Sequence, residues 1–234
     1  PRWCDQLPRA VNAAFPRRAV ESPWFTIYAV EPNVYALVEA RQFQEAIAYL
    51  VVGSKSALLW DSGIGLVPLR PVVEQITTLP VRVMNSHTHF DHVGGNAEFD
   101  EVLGMNTPFT RQNERGKPHA GLASEVAASS FCGALPAGAD TAGFRSRPWR
   151  VTRRVADGDT LDLGGRVLEI LATPGHTPDA AMLLDRARGL LFTGDSYYAS
   201  TLWLFLPETD LDAYQRSMAR VAALAPTLTR LLPA

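Results

Sequence analysis

The sequence predicts a mixed α/β domain built as two similar halves. Three observations carry this. Short β-type runs recur along the chain, each closed by turn residues. The helical patterns fall between and after these runs rather than in a block of their own. No low-complexity stretch divides the 234 residues, so one domain over 1–234 is expected.

Residues 1–22, mixed in Pro and Arg, read as a surface lead-in. Trp24 to Val30 and Asn33 to Glu39 are strands joined at Glu31-Pro32. Glu45 to Val52 and Ser56 to Trp60 form a hairpin across Gly53-Ser54-Lys55. Leu69 to Thr78 has near-helical apolar spacing and opens with Pro71, suited to a first helical turn. Val81-Arg82-Val83-Met84 is a strand, His92 to Phe99 a helix and Val102 to Met105 another strand. Residues 107–150 combine helix-permissive pieces with Gly/Pro-rich ones and read as a variable loop or lid. The lone His119 within them reads as a solvated loop residue.

From Val151 the pattern clears. Thr160 to Leu163 and Arg166 to Leu171 flank a Gly164-Gly165 turn. Ala181 to Leu184 and Leu190 to Thr193 make a second strand pair. Leu211 to Leu224 is an amphipathic helix with Asp210 or Asp212 at its start, and Leu228 to Leu232 begins a last strand.

Composition bounds the function. Hydrophobic content of 47% with 20% charged residues describes a globular chain, and a net charge of -2 leaves no basic footprint for nucleic acid. No apolar run approaches the ~18 residues of a membrane span. Cys4 and Cys132 lie far apart and outside any Cys-x-x-Cys, so a thiolate zinc site is not expected and their pairing stays open. The missing initiator Met and the two distant cysteines lean towards an exported protein, processed at its N-terminus.

The chemistry concentrates in Asn85-Ser86-His87-Thr88-His89-Phe90-Asp91-His92-Val93-Gly94-Gly95. Three histidines and an aspartate within six residues supply the nitrogen and oxygen donors that zinc or a similar first-row ion takes. His176, in Thr-Pro-Gly-His-Thr-Pro, and Asp195, after Thr-Gly, complete the candidates. Each of the six follows a predicted strand, so they can converge on one rim of a sheet.

His87-x-His89-x-Asp91-His92, Thr-Pro-Gly-His176-Thr-Pro and Thr-Gly-Asp195, in this order, resemble the metallo-β-lactamase-fold hydrolase superfamily. The resemblance spans about 45–234, and Asp61-Ser62-Gly63 resembles its early Asp-x-Gly turn. It implies an α/β (α+β) fold, a four-layered αββα sandwich with the site along one edge. It implies two Zn2+ ions, one on His87, His89 and His176, the other on Asp91, His92 and Asp195, with Asp195 reaching both. The activity implied is hydrolysis of a small-molecule ester, lactone, thioester or β-lactam by water activated between the ions. Asp91 is then a proton acceptor, and Tyr198 matches the position that assists the oxyanion in lactone-hydrolysing members. Trp203-Leu204-Phe205-Leu206 suits an acyl chain but reads first as core or lid packing. The superfamily places a further histidine for the second metal after the C-terminal helix. None follows His176 here, so the chain reads as stopping short of that ligand at Leu231-Leu232-Pro233-Ala234. A diiron oxidoreductase is disfavoured by His89, where such proteins carry a carboxylate. A metal-binding or scaffold protein without catalysis is the second reading.

Overall fold

The computed structural model describes residues 3–234. Its strands alternate side chains across two sheets, and that alternation sets the layers. In the first half β1 (Thr26–Glu31), β2 (Val34–Val38), β3 (Ile47–Val52), β4 (Ala57–Trp60), β5 (Val81–Met84), β6 (Val102–Met105) and β7 (Arg153–Val155) pair in chain order. The first four are antiparallel and β4 to β7 run parallel. The second sheet has the order β12 (Arg230–Pro233), β11 (Leu190–Gly194), β10 (Ala181–Asp185), β9 (Val167–Ala172) and β8 (Thr160–Asp162).

Along β3, Tyr49 and Val51 face the second sheet while Ala48 and Leu50 face outward. Along β10, Ala181 and Leu183 point in, and Met182 and Leu184 point out. The inward sets form one core between the sheets, where Tyr49 meets Phe192 edge-on at 5.3 Å. The outer face of the first sheet is covered by α2 (Arg70–Glu74) and by 107–150, through Leu122, Val126, Phe131, Phe144 and Trp149. The outer face of the second is covered by α5 (Leu211–Ala222), with Met218 and Val221 against Leu171, Met182 and Leu184. The four layers are helix, sheet, sheet, helix, as the motifs imply.

Some elements differ from expectation. The helix placed at 92–99 is instead α3 (Phe90–Val93), a single turn followed by a 3-10 turn at Asn96–Glu98. Gly94 and Gly95 pack so closely on the backbone of Ser62–Gly65 that a Cβ on Gly94 would overlap Ile64. The 107–150 stretch folds as α4 (Pro108–Asn113) and two 3-10 turns. His119 is half-buried, its Nδ1 3.0 Å from the Phe144 carbonyl. In the lead-in, α1 (Ala10–Ala13) precedes backbone bonds to β1, and Cys4 forms a disulfide with Cys132.

Candidate metal centre

Both sheets deliver their ligand-type residues at one rim. Strands β4 and β5 are parallel, so Asp61 and the Ser86–His89 loop emerge side by side. Strands β9 and β11 both run antiparallel to β10, so the His176 turn and Asp195 leave from the same end of their sheet. The halves meet where Ala181 N–H donates to the Ser86 carbonyl, at 2.7 Å. Gly194 is forced by this seam: its φ is +50°, and a Cβ there would run into the Ser86 side chain.

Three imidazoles converge. His87 Nε2 lies 2.9 Å from His89 Nδ1, and His176 Nε2 lies 3.3 Å from the former and 3.2 Å from the latter. A neutral imidazole nitrogen carries either a hydrogen or a lone pair, so three of them at mutual contact cannot all be satisfied by one another. A cation at the centre satisfies all three. Four ligands at zinc's Zn–N distance stand about 3.3 Å apart, close to the spacings seen. The donor set fits a metal ion. The outward nitrogens are also engaged, with His87 Nδ1 3.0 Å from Ser86 Oγ, His176 Nδ1 2.7 Å from the Trp203 carbonyl and His89 Nε2 2.6 Å from Glu208 Oε1.

A second set adjoins the first: His87, His92 and Asp195 also bring ligand atoms together. Asp195 spans the two, Oδ1 3.5 Å from His92 Nε2 and Oδ2 3.8 Å from His176 Nε2. Asp91 stands beside it, Oδ2 3.7 Å from His92 Nε2, outside the tightest grouping. The other nitrogen of His92 faces Asp61 Oδ2 at 3.1 Å. Asp61 is held at φ +64° and accepts from Ser86 N–H at 2.7 Å, so the early turn aims the second cluster. Asn85 and Asn96 exchange amide hydrogen bonds of 3.1 and 2.8 Å, and Asn85 Nδ2 donates to the His92 carbonyl, pinning α3.

The electrostatics separate the histidines. Burial holds His87 well below its ordinary range, with the neighbouring imidazoles adding to it, and burial also lowers His176, so both keep lone pairs at neutral pH. For His92 burial works the same way but is outweighed by Asp61, Asp195 and Asp91, which hold it well above its ordinary range. Burial raises Asp61; for Asp195 it is outweighed by His92, which keeps that carboxylate low.

Tyr198 uses its hydroxyl within its own loop, donating to the Thr201 carbonyl at 3.1 Å and accepting from Trp203 N–H at 3.3 Å. Burial, then the charge of Asp195, pushes its phenol up to about 12. The 203–206 run is not core: Trp203 is 46% exposed and Phe205 67%, their rings 5.2 Å apart. Leu204 and Leu206 between and after them are half-buried, so the run presents one side of itself to solvent.

The sequence reading missed Glu208, Ser86 and Asp179. Asp179 is buried and accepts from Thr88 Oγ1 at 2.5 Å, Thr110 Oγ1 at 2.9 Å and Thr177 Oγ1 at 2.8 Å, joining both ligand loops to α4. Its position two residues past Thr177 was the one available signal.

This fold and rim define a class of protein. The chain belongs to the Metallo-beta-lactamase superfamily, whose sequence model matches residues 46–230. Among curated proteins it is 29% identical over 197 residues to acyl-coenzyme A thioesterase MBLAC2 of Homo sapiens, covering 75% of this chain and 67% of that protein. The Gallus gallus protein of the same name is 28% identical over 219 residues, 86% of this chain and 76% of the relative. Among solved structures, a metallo-beta-lactamase with an HARLDQ motif from Cronobacter sakazakii superposes with TM-score 0.61 at 22% identity, over 88% of this chain and 79% of that one.

Proposed function

We propose that the protein is a dizinc hydrolase of thioesters with apolar acyl groups, working as one domain. The observation that carries the proposal is the meeting of three imidazole nitrogens within 3.3 Å, with Asp195 extending from them to His92. In this reading His87, His89 and His176 would hold one ion, and Asp91, His92 and Asp195 the other. Such ions would supply Lewis acidity and make a bound water easier to deprotonate near neutral pH. Ser86, Trp203 and Glu208 keep the three rings turned inward, and Asp61 does so for His92. Asp91, in the first turn of α3, takes the proton of the attacking water, and that proton leaves with the thiol product. Tyr198 is given the part of holding the 197–203 loop. The thioester preference is supported by the human and chicken relatives and by the exposed Trp203–Phe205 pair, whose own backbone touches His176.

The localisation proposed is an oxidising compartment, supported by the Cys4–Cys132 bond. No helix among the described residues is long and apolar enough to cross a membrane.

The test is zinc content together with hydrolysis of acyl-coenzyme A thioesters of increasing chain length. Close to two zincs are expected, with kcat/KM rising by up to about fourfold per methylene. H89A should abolish turnover, and a W203A/F205A double variant should flatten the chain-length series. Turnover of lactones or β-lactams but no thioester moves the substrate assignment. Zinc binding with no turnover of any of these supports the non-catalytic reading.

A further inference from the structure

His89 differs from its two partners in the way its ring is turned. His87 and His176 present Nε2 to the centre, whereas His89 presents Nδ1. For Nδ1 to offer a lone pair, Nε2 must carry the hydrogen, and a half-buried N–H needs an acceptor. The acceptor is Glu208 Oε1 at 2.6 Å. Phe109, whose ring lies edge-on to it at 5.9 Å, offers none.

Glu208 does little else. Among the described residues its carboxylate makes no second side-chain hydrogen bond, and α5 is capped without it, by Asp210 accepting from Ala213 N–H at 2.9 Å. It lies in the link from β11 to α5, Asp195–Asp210, whose Trp203 carbonyl also takes the Nδ1–H of His176. One loop of the second half therefore holds two of the three converging rings from outside, His176 through a backbone carbonyl and His89 through the carboxylate of Glu208.

We propose that Glu208 is a positioning residue for the metal centre: it fixes His89 as the tautomer whose Nδ1 faces the ion and strengthens that nitrogen as a donor. This rests on the reading that His87, His89 and His176 hold a metal. An acceptor behind a metal-bound imidazole typically contributes 10–100-fold in metal affinity. The same carboxylate, fastened to the loop that carries Trp203 and Phe205, ties the lie of that loop to the lie of the ring.

The test is zinc affinity by competition with a chromogenic chelator, the absorption spectrum of the cobalt(II)-loaded protein, and the melting temperature of the metal-free protein. E208A should bind zinc about 10–100-fold more weakly with an altered cobalt spectrum, while the metal-free melting temperature stays near that of the parent. E208Q, whose amide oxygen can still accept from Nε2–H, should recover most of the affinity. E208A with the parent's affinity and spectrum overturns the assignment, as does E208Q as weak as E208A. A parent that binds no more zinc than H89A sinks the metal reading itself, so the two failures are told apart.

Discussion

Glu39 is 1% exposed beneath the Asp61–Gly65 turn, accepting from Trp24 Nε1–H at 2.6 Å and Ile64 N–H at 2.8 Å. Burial outweighs those two donors and pushes its carboxyl from 4.5 up to about 7. The folded chain thus holds this proton more tightly than the unfolded chain. The stabilisation is complete below pH 4.5 and is lost as pH rises towards 7, about 3 kcal/mol in all. Urea unfolding of the metal-free protein at pH 5 and pH 7.5 should show it. The difference between the two conditions should be about 2–3 kcal/mol larger in the parent than in E39Q, and equal differences would remove Glu39 as the cause. Such residues mark what the sequence hides. His87, His89 and His92 are legible because imidazoles crowd a short stretch for few reasons other than ligation. Glu39, Asp179 and Glu208 are single acidic letters in ordinary loops, and their partners are chosen by tertiary approach alone.

At the scale of elements, strands in both halves were legible from period-two patterns and Gly turns, and only β7 went unnoticed because its exposed Arg153-Arg154 hides a strand. The 107–150 stretch was illegible because it covers the first sheet piecewise, with single apolar anchors and no repeat. The ligand loops are held to each other and to α4 through Asp179, which gathers three threonine hydroxyls, while Asn113 Nδ2 donates to Thr88 Oγ1 at 2.9 Å. Removing that acceptor leaves buried hydroxyls unpaired. D179A should lower stability by about 2–4 kcal/mol and weaken zinc binding, with D179N keeping part of both. Urea midpoints and chelator competition on the same samples check this; a D179A protein with the parent's midpoint would refute it.

Across the whole molecule, the sequence alone could not pair its cysteines, since residues 128 apart meet only once 107–150 has folded onto the first sheet. Their Cα atoms stand 5.6 Å apart, and the bond ties the lead-in to that layer. Reduction, or C132S, should lower stability by about 2–5 kcal/mol. Urea titrations with and without reductant measure it, and coincident curves would show the bond to be idle. The seam between the sheets has a consequence for synthesis. His87 and His176 are 89 residues apart, so at ribosomal rates roughly 4–18 s separate their appearance. Over that interval the nascent chain carries His87, His89, Asp91 and His92 without the imidazole that closes their triangle. On the proposed metal reading, an ion captured in that interval would be held by half of its ligands, open to exchange until the second sheet arrives.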